Sequence, residues 1–578
     1  MPDILTDTAT DVTNYEIILG SETISPASGV LSVVVHKGLN RIASAEIVFT
    51  DANHEEEEFP WSNKDFTKPG TDVEIKAGYH DDSETIFKGI IVRQHLRINK
   101  KSTVLIIECK DKAVKMATVR KSAYYADMKD SDVWSQLIGD AGLTADAGTT
   151  TVQHKELVQY SCSDWDFIIA RAEMNGMVVV NMDATIKIMK PTAAGLPVVT
   201  ATYPSNIFEF DADMDARTQH KQVKAITWNA ADQATIEETS SEPSLLLNGD
   251  MSGTDLANAV AGKDYEVFHS GHVMQDELKA WADAKLIKSR LSKIRGRVKI
   301  QGNGKLNPGD VVALEGVGAR FAGNVMAVAV RHEISKGNWY TDIQFGQSAE
   351  WYATEMEIDD KPASSMMPAI HGLQIGIVTA LEKDPENEFR IKVKVPIINK
   401  DDEGVWSRLA TPDAGNNRGI VIRPEVGDEV IIGFINDDPR DAVVLGCLHS
   451  SKNAAPIEAK ADNHQKGWVT RSEMKVILDD EKKTILITTP AENKILLSED
   501  EKSILIQDQN GNKIEMNKDG ITMESCKDVK IKATGDIKLE GINIESKASA
   551  SFKAQGSASA ELSSSATTTV KGSMVMIN

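Results

Sequence analysis

Apolar and polar positions alternate along most of this chain, and the alternation predicts strands before any other feature is considered. Between residues 15 and 110 short runs such as Ile86-Phe87-Lys88-Gly89-Ile90-Ile91-Val92 and Val104-Leu105-Ile106-Ile107-Glu108-Cys109 are punctuated by Pro69-Gly70 and Asn40. Period-two runs bounded by turn residues predict a β-barrel or meander. The period then changes. Ser131 offers an N-cap ahead of Val133, Trp134, Leu137 and Ile138 at helical spacing, with Gly142 as the stop. A second helix is expected over 274–291, with Leu278, Trp281, Ala282 and Leu286 on one face. Strands return at Val298-Lys299-Ile300 and Val311-Val312-Ala313-Leu314, and Asn307-Pro308-Gly309-Asp310 between them predicts a hairpin turn.

Composition shifts at Lys361-Pro362-Ala363-Ser364-Ser365 and at Asn453-Ala454-Ala455-Pro456 mark linkers. Between them Phe389, Ile391, Val393 and Val395 alternate with Arg390, Lys392 and Lys394, and Val426-Gly427-Asp428-Glu429-Val430-Ile431-Ile432 is a turn running into a strand. A module of this size with this pattern predicts a five-stranded oligonucleotide/oligosaccharide-type (OB) barrel.

The last hundred residues repeat. Triplets recur at Ile485-Leu486-Ile487, Ile495-Leu496-Leu497, Ile504-Leu505-Ile506, Ile514-Glu515-Met516 and Ile521-Thr522-Met523. Met523, Ile531 and Leu539 are then spaced by octads, and after a slip near Gly541 the step continues through Ile544, Phe552, Ala560, Thr568 and Met576. Eight extended residues reach at most about 27 Å, enough for one side of a narrow prism and too little for a full turn of a one-chain β-helix. Three chains would close the turn together. Small residues at Ala548, Ala550, Ala554, Ala558 and Ala566 then let three backbones crowd one axis. The fold class expected is mainly β: hub barrels with helical insertions over 1–360, an OB barrel over 369–452, a linker over 453–475 and an intertwined trimeric β-helix over 476–578.

Charge narrows the function. With 64 Lys and Arg against 86 Asp and Glu the net charge is −22, which argues against a general nucleic-acid surface. Cys109, Cys162, Cys447 and Cys526 lie far apart without a Cys-x-x-Cys pair, so neither a zinc site nor a disulfide framework is expected. The opening Met1-Pro2-Asp3-Ile4-Leu5-Thr6-Asp7 lacks the basic and apolar regions of a signal peptide, and no membrane span is expected. Gly302, Gly304 and Gly309 lack the Gly-Lys-Ser/Thr of a phosphate loop. His332 reads as a strand histidine, His449 ends the OB module and His464 lies in a linker; none has a second ligand at metal spacing, so no metal and no cofactor are expected. Asp164, Trp165, Asp166 and Arg171 read as a helix start with Trp165 and Phe167 inward, and Asp437-Asp438-Pro439 as a turn.

The order of hub, OB module and octad repeat resembles the VgrG spike family and its phage and extracellular-injection relatives. The likeness is carried by Val405-Trp406-Ser407-Arg408-Leu409-Ala410, by Pro424-x-Val426-Gly427-Asp428-Glu429-Val430 with Gly433-Phe434, and by Asp438-Pro439-Arg440 with Val444-x-Gly446. In the hub it rests on Gln159-Tyr160, Asp164-Trp165-Asp166-Phe167, Arg171-Ala172-Glu173-x-x-Gly176, and Phe321-x-Gly323 leading to His332 and Trp339. The resemblance implies a homotrimeric spike. It would cap a hexameric inner tube, contact baseplate proteins, carry effectors as passengers and pierce membranes mechanically. Assembly is expected in the bacterial cytoplasm, followed by life in an injection particle outside the cell or within a target. Some phage needles end in a His-x-His iron site, whereas this chain ends Met574-Val575-Met576-Ile577-Asn578, an apolar end suited to a PAAR-type tip protein. The competing expectation is an enzyme-bearing needle that cleaves polysaccharide or peptidoglycan. About two dozen residues between barrel and needle are too few for a hydrolase core, so no catalytic residue is expected.

Overall fold

The computed structural model describes residues 13–25, 27–51, 58–80, 82–100, 102–260 and 262–577. The opening Met1 to Asp7 and the final Asn578 lie outside the described residues. The chain divides into two compact units, Met1–Ala369 and Ile370–Asn578.

In the first unit, alternation produces a meander. Strands Val30–Gly38, Arg41–Thr50, Thr103–Lys110, Asp82–Ile98, Asp72–Tyr79 and Thr13–Leu19 are successive antiparallel neighbours. Every second side chain enters one core, which holds Ile17, Val35, Ile47, Phe49, Ile75, Ile107 and Trp339. Asn40 makes the tight turn between the first two, at φ 57°, a conformation asparagine tolerates. Val30–Gly38 also pairs with Gly323–Ser335, and the sheet continues through Asn338–Phe345, Ile294–Gln301 and Ile207–Met214 around a second core built on Val298, Val312, Ile343 and Phe345. Both halves therefore belong to a single thirteen-stranded sheet.

The helical insertions sit on this frame. Asp130–Asp140 and Asp164–Met174 pack Trp134, Leu137, Trp165 and Ile168 against short strands at Val178–Met182 and Thr185–Met189. Gln275–Leu291 lays Leu278, Ala282 and Leu286 over Val223 and Ala225 of a separate three-stranded sheet. Two local readings change. The first helix begins at Asp130, ahead of Ser131; Lys129 is the cap residue, and the Ser131 backbone N–H donates to the Thr150 hydroxyl at 3.2 Å. Asn307 to Asp310 is a turn closed by the Asp310 N–H on the Asn307 carbonyl, yet the flanking strands do not form a hairpin. Ile294–Gln301 pairs with Asn338–Phe345, and Val311–Glu315 with Gly323–Ser335 and Val199–Thr202. Turn chemistry is local, whereas the choice of strand partner is made by the two cores.

In the second unit, Gln374–Ala380, Ile391–Lys394, Val405–Leu409, Ala442–Cys447 and Glu429–Phe434 close a five-stranded barrel around Val378, Ile391, Val393, Val430, Ile432 and Val444. Phe389 does not join this core: it precedes the strand at φ 56° and is exposed. Seven strands from Gln465–Val469 to Gly520–Glu524 then stack in sequence order as an antiparallel meander. Its first strand falls inside the stretch that composition reads as a linker.

Candidate functional site

The hub motif folds into a set of buried ties. Ser163 caps the Asp164–Met174 helix, its hydroxyl accepting from the Asp166 N–H at 3.1 Å. Trp165 and Phe167 turn inward, and Gly176 ends the helix region at φ 65°, where an added Cβ would stand 2.7 Å from the Ile287 side chain. Gln159 is fully buried; its amide donates to Asp164 at 2.9 Å and accepts from the Tyr125 hydroxyl at 2.8 Å. Burial beside Asp164 pushes the Tyr125 phenol up to about 12. Glu173 accepts from Lys288 at 2.6 Å and from the Tyr352 backbone N–H at 2.7 Å.

Arg171 does not face Asp164 or Asp166. It grips Asp130 with two parallel bonds of 2.7 and 3.0 Å and reaches Glu277 at 3.0 Å. His154 Nε2 lies 3.0 Å and Asn175 Nδ2 2.9 Å from the same Asp130 carboxylate. Burial opposes charge on Asp130, but hydrogen bonds from His154, Arg171 and Asn175 outweigh it and hold the carboxyl well below its ordinary range. The cluster joins both insertion helices, the Gln153–Ser163 strand and the Gln275–Leu291 helix. Sequence reading finds Arg171 but misses Asp130, His154 and Glu277, which are remote in the chain and carry no periodic signal.

The barrel motif lies on the strands and turns of the closed barrel. Trp406 is half-buried with Lys392 Nζ 5.9 Å from its ring centre, and Arg408 is exposed. Gly427, at φ 96°, and Asp428, accepting from the Glu425 N–H at 2.8 Å, make the turn into the next strand. Asp438, Pro439 and Arg440 form the bend before Ala442–Cys447, which contains Gly446, and the Asp438 carboxylate takes the Arg440 guanidinium at 2.7 Å.

The meander carries the third arrangement. Each strand faces the next without a bulge, so that Val476, Ile487, Ile495, Ile506, Ile514 and Met523 fall in one lateral row, and Leu478, Ile485, Leu497, Ile504, Met516 and Ile521 in another. Residues two apart share a face, so both rows line the same side. Ile485, Ile487, Ile495, Leu497, Ile504 and Ile506 remain about 40% exposed, and a groove of about 610 Å³ runs along the first row, lined by Ile487, Ile495, Ile506, Ile514 and Met523. The other face carries Ile477, Leu486, Leu496 and Leu505 between polar flanks. From Lys518 to Ile577 every described residue is exposed, and from Ser525 to Ile577 no intrachain strand ladder forms. Val529, Ile531, Ile537, Leu539, Ile544 and Phe552 lie in that stretch, as do Met574, Val575, Met576 and Ile577 of the apolar end.

The first unit is thus a thirteen-stranded sheet with helical insertions, and the second a closed OB barrel followed by a meander with one open apolar face. Residues 9–336, more than half of the chain, match the family described as the Alg8 N-terminal domain, and the chain belongs to that family. Residues 374–449 match the type VI secretion system/phage-baseplate injector OB domain, and 484–578 the phage baseplate V C-terminal trimerisation domain. Among curated proteins, the type VI secretion system spike protein VgrG4b of Pseudomonas aeruginosa is 28% identical over 129 residues, 21% of this chain and 16% of that one. VgrG3 of Vibrio cholerae is 29% identical over 113 residues, 18% of this chain and 11% of that one. The chain thus spans less than a fifth of these relatives. Among solved structures, the 43 kDa tail protein of prophage MuSo2 from Shewanella oneidensis overlays with a TM-score of 0.44 at 8% identity, covering 58% of this chain and 98% of that one. The E. coli c3393 protein, described as a component of the type VI secretion system, gives 0.37 at 12% identity, covering 73% and 97%. No described helix is long and apolar enough to cross a membrane.

Proposed function

We propose that this chain is the central spike of a contractile injection system, a homotrimer that caps the inner tube and pierces the target envelope mechanically. The observation that carries the proposal is the open apolar face of the meander together with the fully exposed stretch that follows it. A monomer rarely leaves so much contiguous apolar surface in water. Three copies placed about one axis would turn the Val476 to Met523 rows inward as the three walls of a prism. Below Glu524, where a chain has no ladder of its own, strands of neighbouring copies would pair instead. Every backbone group would then be satisfied between chains, leaving a shaft with no free sheet edge and no soft joint.

In this reading Asp164, Trp165, Phe167 and Gly176 hold the hub beneath a hexameric tube, and Trp406, Arg408, Gly427, Asp428, Pro439 and Gly446 shape the OB neck. Met574 to Ile577 supply the exposed apolar residues that take a PAAR-type tip protein. Baseplate proteins surround the hub and effectors travel with it; a membrane is met only by piercing, and no nucleic acid and no catalysis are involved. The spike is assembled in the bacterial cytoplasm and acts as part of an injection particle, outside the cell or in the target. The test is imaging: in particles purified from the producing bacterium, an antibody against the OB barrel should label the baseplate end alone. Label along the sheath, or none on particles, would overturn the assignment.

A further inference from the structure

One cavity of about 880 Å³ in the first unit is cationic in a chain that is otherwise acidic. Its floor is the outer face at the centre of the thirteen-stranded sheet, where strand register sets two lateral rows. Lys110, Ser44, His36, Arg331 and Asp342 stand directly opposite one another across five strands. Arg41, Gly38, Ala329, Gln344 and Arg297 form the second row across the neighbouring strands. Directly opposed residues share a face, so both rows project into the same space. Gly38 and Ala329 keep the middle shallow, and Trp165, Tyr352 and Met356 belong to the lining.

The charge balance is one-sided. Asp342 is the one carboxylate among the lining residues, and it is engaged by Arg331 at 3.5 Å and Arg297 at 3.8 Å. Arg331 also binds Glu333, and Arg297 also binds Glu209. Arg41 and Lys110 have no ion-paired or hydrogen-bonded side-chain partner among the described residues. His36 responds to the excess: burial first, then Arg331, Lys110 and Arg41 lower its pKa.

We propose that this cavity binds an extended acidic segment of a partner protein, with carboxylates at alternate positions engaging Arg41, Lys110, Arg331 and Arg297. Strand spacing decides between a peptide and a single phosphate. Neighbouring strands lie about 4.8 Å apart, so Lys110 and Arg331, three strands removed, root about 14 Å from each other, and Arg41 and Arg297, four removed, about 19 Å. A single tetrahedral anion spans neither distance, whereas carboxylates on alternate residues of an extended chain recur every ~7 Å. Its lining comes wholly from the first unit, so the site does not rest on the proposed needle.

The probe is a fluorescein-labelled octapeptide of alternating Glu and Ser, titrated into the full chain by anisotropy, with an octapeptide of alternating Lys and Ser as control. The proposal predicts saturable binding of the acidic peptide alone, weakened roughly tenfold or more in Arg41→Gln/Lys110→Gln and weakened again by added salt. Lys452→Gln, on the second unit and not among the lining residues, should leave the affinity unchanged. Absence of binding at millimolar peptide, equal affinity of the double variant, or displacement by inorganic phosphate at the peptide's own concentration would each overturn it. Far-ultraviolet circular dichroism of the double variant, unchanged from the parent, keeps a lost affinity from being a lost fold.

Discussion

Arg171 shows how one side chain of the hub motif is used. Its guanidinium answers the Asp130 carboxylate, which is about 1% exposed, so Arg171→Ala would strand a buried charge. Hub stability in urea, followed by tryptophan fluorescence, should fall by about 3–5 kcal/mol. The acid dependence follows from the same carboxyl. Its pKa in the folded chain lies below the unfolded value, so its contribution is present above the ordinary carboxylate range and is lost as pH falls through the folded value. An acid titration should lose stability below about pH 4, and Asp130→Asn, less stable at pH 7, should show a flatter acid limb. An acid limb identical in both chains would contradict this reading of the cluster. Gly176→Ala should cost about 1–2 kcal/mol by the same assay, since φ 65° penalises any Cβ. Of these residues the sequence makes Trp165, Phe167 and Gly176 legible, because helix starts and stops leave local signatures. Asp130, His154 and Glu277 meet Arg171 only through tertiary packing, and nothing in their neighbourhoods announces it.

At the scale of elements, the two faces of the meander make opposite predictions. Ile495 and Ile506 are paired directly and lie on the open face, whereas Leu496 points to the other side. Ile495→Lys should place three charges at the axis of the prism and yield monomers in light scattering. Leu496→Lys should stay assembled, losing at most the ~1.5–3 kcal/mol per copy of a partly buried leucine. Equal behaviour of the two variants would count against the inward assignment of the isoleucine rows. These strands were readable because an apolar triplet recurs between polar turn stretches from Ile485 to Met523. The triplets alone did not reveal that each chain pairs its own strands first, down to Glu524, and only then runs out of partners. Nor did Asn307-Pro308-Gly309-Asp310 reveal which strands it joins, since the residues of a turn fix its bend and not the sheet that receives the next strand.

For the whole molecule, the succession of a large sheet, a five-stranded barrel and a repeating C-terminal meander was legible from composition shifts and repeats, because each has its own period. The continuity of the hub sheet was not, since pairing of Val30–Gly38 with Gly323–Ser335 joins strands almost three hundred positions apart. The apolar end gives a prediction at this scale: a chain truncated before Met574 should trimerise normally and fail to co-purify with a PAAR-type tip protein that the full chain retains. Whether three copies make the needle is decided by the solution mass of the purified full chain, measured by light scattering beside a chain ending before Gln465. A trimeric needle gives three times the 63.0 kDa of one chain for the full protein and a lower assembly state for the truncated one. A stable full-length monomer with residues 525–577 protected from hydrogen exchange would contradict it, because a single chain would then be closing the prism alone.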